Sequence, residues 1–245
     1  MRYFAELSYR GTPFHGWQRQ PNAPSVQQTL EEAFSTVLNT SITFTGCGRT
    51  DAGVHALKYF AHFDFEDAFP SSFLRRINKF LPPEIAVGRI VEVAREAHAR
   101  FDAVERSYVY RITLRKDPFA VDSAYHFPFA DKLDLDITHR AARLLLNFSE
   151  FFPFCKSHSD AKTMRCDLRQ AEWIVKREEL EFHIAADRFL RGMVRLIVGM
   201  CLNAGLGKVQ LAEVERALAQ QQRLDNSWSV PPQGLFLNSV KYPYL

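Results

Sequence analysis

The sequence predicts an α+β protein. Three observations lead there. Strand-type patterns recur at Tyr3–Tyr9, Leu57–Phe65 and Ile85–Val93. Helix-type spacing fills the gaps between them. The resulting order over residues 3–93 is strand, helix, strand, strand, helix, strand, which is the ferredoxin-like arrangement.

Each element has its own warrant. Tyr3, Ala5, Leu7 and Tyr9 alternate with Phe4, Glu6 and Ser8, and Gly11 and Pro13 end that strand. An aromatic and polar loop follows at residues 14–20. Its Trp17 either stacks on a nucleobase or packs the loop onto the core. Ser25 and Gln28 have the spacing of a capping box. Leu30, Ala33, Phe34, Val37 and Leu38 then mark an amphipathic helix. Ile42–Thr45 reads as a short β-branched and aromatic strand. Pro70 and Ser71 open a second helix with Leu74, Ile77 and Leu81 inward and Arg75, Arg76 and Lys79 on the polar side. Pro82 and Pro83 stop it.

The second half is a loose echo of the first, without sequence repetition. Residues 94–106 are densely charged and read as a crossover. Ser107–Leu114 is a strand in which Tyr108 and Tyr110 share one face among Arg106, Arg111, Arg115 and Lys116. Aromatics in a basic strand suit nucleic acid, because rings stack on bases while cations hold phosphates; an edge strand with buried tyrosines fits equally. Helix spacing returns at Ile137–Leu145. Residues 148–169 read as a mobile, basic loop over a site, or as a solvated surface loop. A hairpin turns at Arg177–Glu179. Leu190, Met193, Val194, Ile197 and Cys201 form one helical face, with Arg191 and Arg195 four apart. Arg195, between Val194 and Leu196, either reaches inward to an anion or snorkels at the helix edge. A last helix spans Val209–Leu218 and a last strand Leu235–Val240.

Composition bounds what this fold can do. The 245 residues are 47% hydrophobic and 24% charged, enough for a large core without staples. The net charge is only +3, so a basic surface requires clustering. The four cysteines, at 47, 155, 166 and 201, form no disulfide framework. No signal segment precedes the first strand and no apolar run reaches membrane-spanning length. The expectation is a cytoplasmic protein with free thiols and no membrane partner. Cys155, His158 and Cys166 carry ligand-type side chains but lack paired zinc spacing, so no metal is expected.

The stretch with the most chemistry in it is residues 46–56. Gly46, Gly48 and Gly53 bracket Arg49 and Asp51. Glycines permit positive φ and close approach, so the stretch reads as a shaped loop presenting a guanidinium and a carboxylate. An ordinary Asx turn is the alternative.

GRTDAGVHA at 48–56 resembles the active-site motif of the pseudouridine synthases of the TruA family. The likeness runs along almost the whole chain. GWQRQ at 16–20, SVQ at 25–27, FLPPEIAV at 80–87, HARF at 98–101, the Tyr108–Tyr110 pair, VRLIVG at 194–199 and GLFL at 234–237 fit in order. NFSEFFPF at 147–154 departs from the family's short acidic and aromatic pattern.

The resemblance implies a tRNA-modifying isomerase acting on uridines of the anticodon stem-loop, without a cofactor. It implies two RRM/ferredoxin-like halves, 1–102 and 103–245. These would form a central, mainly antiparallel sheet flanked by helices, with a basic active-site cleft and a homodimeric assembly. Asp51 falls on the catalytic aspartate, and Arg49 on the arginine that helps extrude the target nucleotide. Tyr108 falls on the ring that stacks on the target base, and Arg195 on the aspartate's basic partner. Two other readings remain open: a non-catalytic RRM-like RNA-binding protein, and a hydrolase pairing Asp51 with His55.

Overall fold

The computed structural model describes residues 1–157 and 161–245. The protein is mixed α+β, with five α-helices among the described residues and mainly antiparallel strand pairing. It divides into two compact units. One comprises Met1–Val104 with Phe236–Leu245, the other Glu105–Leu235.

In the first unit the elements are β1 (Arg2–Tyr9), α1 (Val26–Leu38), β2 (Thr45–Gly46), β3 (His55–Asp64), α2 (Phe73–Phe80) and β4 (Ile85–Val93). β1 lies antiparallel between β3 and β4, in a register that sets Tyr9 opposite both Ala56 and Ile85. β2 pairs with β3 through Thr45↔His62 and Gly46↔Ala61. The last strand, β9 (Leu235–Lys241), runs parallel to the start of β3, Phe236 opposite His55. The last ten residues therefore pack with the first unit, although a division at 102/103 would place them in the second.

Aromatic packing explains that return. Phe4 and Phe60, on one face of the sheet, meet Tyr242 edge-on at ring separations of 5.2 and 5.3 Å. On the opposite face Phe34 of α1, Phe44, Phe63, Phe69 and Phe73 form a continuous ring cluster. Each fully buried phenylalanine contributes roughly 2–3 kcal/mol of transfer free energy.

Two local expectations shift and one is met. Ile42–Phe44 is not a strand: α1 side chains capture its backbone, Ser35 Oγ accepting from Ile42 N (2.9 Å) and Glu31 Oε1 from Phe44 N (3.1 Å). α2 buries Phe73 and Ile77 and leaves Leu74 38% exposed, because the helix begins only after Ser72, at φ 59°. Ser25 does cap α1, its side chain accepting from Gln28 N at 3.2 Å.

The second unit contains β5 (Glu105–Thr113), β6 (Tyr125–His126), α3 (Leu135–Leu144), β7 (Leu168–Lys176), β8 (Glu179–Ala186), α4 (Met193–Gly205) and α5 (Leu211–Gln220). β8 lies antiparallel between β5 and β7, and β6 adds in parallel to β5. α4 is buried nearly all round, with Arg195 the exception. It starts at Met193 because Gly192 adopts φ 71°, so Arg191 precedes the helix and does not share a helical face with Arg195.

The flanks of the expected loop at 148–169 are tied down. Phe151 N donates to Met164 O at 3.0 Å, and Cys166 N to Ser149 O at 2.9 Å. Phe151, Phe154, Cys155 and Cys166 are all buried. His158 lies outside the described residues. Among the described residues, no helix is long and apolar enough to cross a membrane.

Candidate active site

The loop between β2 and β3 presents Arg49 and Asp51 from a clamped backbone. Cys47 N donates to Phe60 O at 2.8 Å, and the buried Tyr59 hydroxyl donates to Gly48 O at 2.6 Å. Thr50 is held twice: its Oγ1 hydrogen-bonds the Tyr9 hydroxyl at 2.9 Å, and its carbonyl accepts from Trp17 N at 3.4 Å. Val54 N closes onto Asp51 O at 3.2 Å, and Gly53 N donates to Phe14 O at 3.2 Å. Asp51 is therefore partly exposed on a turn whose neighbours on both sides are fixed.

The glycines have different reasons. A Cβ on Gly46 would collide with the Tyr59 hydroxyl and the Trp17 ring, and Gly53 needs its φ of 76°. A Cβ on Gly48 would meet nothing within 4 Å. Trp17 itself is buried, stacked on Tyr59 at 4.2 Å, so it packs the loop and is not open to a base. Arg49 is exposed, and no hydrogen bond or ion pair among the described residues uses its guanidinium.

His55 is 2% exposed. Its Nδ1 accepts from Gly11 N at 3.0 Å and its ring stacks on Phe236 at 4.6 Å. Those contacts pack the His55 ring into the core between Gly11 and Phe236. The sheet also offers no RRM-type platform at 59–63: Tyr59, Phe60, Ala61 and Phe63 are buried. Burial pushes the Cys166 and Cys201 thiols up to about 12, so neither is a thiolate nucleophile at neutral pH.

Tyr108 and Arg195 stand in the second unit. Tyr108, on β5 opposite Ile184, is half-buried and meets Phe189 edge-on at 5.2 Å. Its neighbour Tyr110 is fully buried, donates to Pro231 O at 2.8 Å and has its pKa driven upward by burial. Arg195 is the third residue of α4. Its Nε donates to Val230 O at 2.7 Å, and its own carbonyl accepts from Val230 N at 3.3 Å. Tyr110 and Arg195 thus hold the same two-residue strap, Val230–Pro231.

A family model described as tRNA pseudouridine synthase matches residues 142–243. Over 99% of this chain, the tRNA pseudouridine synthase A of Parabacteroides distasonis is 43% identical, with 96% of that protein covered. The Bacteroides thetaiotaomicron protein of the same name is 44% identical over 99% of this chain and 91% of its own length. That of Erythrobacter litoralis is 38% identical, with 99% of both chains covered.

The chain belongs to the tRNA pseudouridine synthase A family. Within the family reading, the structure places Arg49 and Asp51 together on one loop of the first unit and Tyr108 and Arg195 on β5 and α4 of the second. Reading the sequence missed the residues that hold them: Tyr9, Thr50 and Tyr59 around the loop, and Val230–Pro231 beside Arg195. Tyr9 and Tyr59 look like ordinary strand aromatics in sequence. Nothing in Val230 signals that its carbonyl anchors a guanidinium.

Proposed function

We propose that this chain converts uridine to pseudouridine in tRNA, in the anticodon stem-loop, with Asp51 as the catalytic carboxylate. The observation that carries the reading is the family membership over the full chain, joined to an aspartate on a loop held at Gly48, Thr50 and Gly53.

The reaction breaks the bond from C1′ to N1, turns the base and forms a bond from C1′ to C5. A proton leaves C5 and one is gained at N1. The substrate loses no atoms to a co-reactant and gains none, so the chemistry requires no redox cofactor or energy donor. An ionised carboxylate serves as nucleophile or base. By the family resemblance, Arg195 serves as the basic partner of the catalytic aspartate. The target base is stacked in RNA, and extruding it costs a few kcal/mol. Arg49, exposed beside Asp51, offsets part of that cost by occupying the vacated space and contacting phosphate. Tyr108 stacks on the detached base and lets it turn in its own plane. Two ferredoxin-like halves with a basic cleft, homodimeric assembly and a cytoplasmic location complete the reading; they rest on the family resemblance.

The test is direct. Unmodified tRNA incubated with the protein alone should gain pseudouridine, detected by carbodiimide-dependent primer-extension stops in the anticodon arm. Tight tRNA binding with no pseudouridine formed would instead favour a non-catalytic RNA-binding protein.

A further inference from the structure

We infer that the outward face of α2 is a second contact for the tRNA backbone, built from Arg75, Arg76 and Lys79. The inference rests on the proposed tRNA substrate but concerns a surface outside the motif residues.

The helix is fixed in rotation. Phe73 and Ile77 are buried, and Asn78 exchanges two hydrogen bonds with Val87 of β4, Nδ2 to the carbonyl and Oδ1 from the amide, each 2.8 Å. At 100° per residue Arg75 and Lys79 then stand opposite Ile77, with Arg76 beside them. All three are exposed, and no ion pair among the described residues uses them. Arg75 and Lys79 are like charges at i, i+4, a mildly destabilising pair. Arg75 and Arg76 also occupy the third and fourth helical positions, where the macrodipole disfavours cations, and the first turn holds no acid.

Neighbouring carboxylates do not relieve this. In the same unit Asp64 pairs with Arg2, Glu6 with Arg89 and Lys58, Glu31 with Arg19 and Glu84 with Arg10. Arg75, Arg76 and Lys79 thus stand together on α2 without an ion-pair partner among the described residues. The C-terminal end of α2 carries Phe80, 55% exposed, and leads into β4 at Ile85. Ile85 pairs with Tyr9, whose hydroxyl holds Thr50 in the Asp51 loop. The C-terminal end of the helix thus leads to the same end of the strands as the turn that carries Asp51. A polyanion engaged at that turn reaches α2 by continuing across this end of the strands, and the tRNA phosphate backbone is the polyanion of the proposed reaction.

The experiment compares the parent with Arg75→Gln/Arg76→Gln/Lys79→Gln, and with Arg75→Lys/Arg76→Lys as the charge-keeping control. Filter binding of whole tRNA is measured from 50 to 300 mM salt. The neutral variant should bind at least tenfold more weakly, with the slope of log K on log salt reduced by about 2–3. The loss should appear in KM, and the lysine variant should stay near the parent. An unchanged slope and KM in the neutral variant, with its thermal melt intact, overturns the inference. So does a loss of binding to anionic phospholipid vesicles with tRNA binding unchanged. Because binding is read separately from pseudouridine formation, failure of the α2 contact and failure of the enzymatic reading give different results.

Discussion

At the scale of single residues, the loop before β3 separates packing from chemistry. Gly46 is small because Trp17 and Tyr59 press against it; Gly48 has open space where a side chain would go. Gly46→Ala should therefore destabilise the protein by roughly 2–4 kcal/mol, since an added methyl has no rotamer by which to escape. Gly48→Ala should change stability by under about 0.5 kcal/mol. Chemical denaturation of the two variants checks this; equal losses would mean that the loop packs differently. The residue scale is also where the sequence was most ambiguous. The alternation that marks β3 does not reveal that the Tyr59 hydroxyl clasps Gly48, because a strand pattern encodes faces and not the partners of a hydroxyl. Trp17 was open to two readings for the same reason, and its stack on Tyr59 selects packing.

At the scale of elements, α4 and the Val230–Pro231 strap set the geometry of Arg195. A cation in the first turn of a helix works against the macrodipole, so the interaction that retains it lies in its side chain. Arg195→Leu removes both the charge and the hydrogen bond to Val230. Pseudouridine formation should fall by about two orders of magnitude in single-turnover assays, on the scale of removing one electrostatic stabiliser. Turnover equal to the parent's would remove Arg195 from the mechanism. Strand positions were readable from alternation, and β4 was recovered from Ile85 to Val93. Helix starts were less so. Gly192 and Ser72 each adopt positive φ and delay α4 and α2, which shifts the inward set from Leu74 to Phe73 and detaches Arg191 from Arg195. Hydrophobic spacing does not record a residue's φ.

At the scale of the whole molecule, a buried histidine ties stability to pH. His62 of β3 is 6% exposed, accepts from Ala99 N at 3.1 Å through Nδ1, stacks near Phe4 and meets His98 at 4.7 Å. Burial, and then the nearby Arg2 and His98, lower its pKa from 6.5 to about 4, against the opposing pull of Asp64 and Asp102. The folded state therefore holds the neutral ring while the unfolded chain takes up a proton below pH 6.5. Stability is full above that pH and is lost as pH falls from 6.5 to about 4, by about 3 kcal/mol from this group. His98, also lowered by burial, adds in the same direction. Denaturant melts at pH 7.5 and 4.5 should show the loss in the parent and a smaller one in His62→Gln; equal losses would assign the acid sensitivity elsewhere. The return of the last ten residues to the first unit was not readable either, because the rings of Tyr242 and Tyr244 carry no mark of the partner, Phe4, that they cover.

The central claim is that Asp51 performs the isomerisation. Asp51→Asn keeps the side chain's size and the turn to Val54 while removing the charge. Its pseudouridine yield on unmodified tRNA should fall to background over many parent turnover times, with tRNA affinity within about threefold of the parent's. Substantial pseudouridine formation by Asp51→Asn would contradict the account.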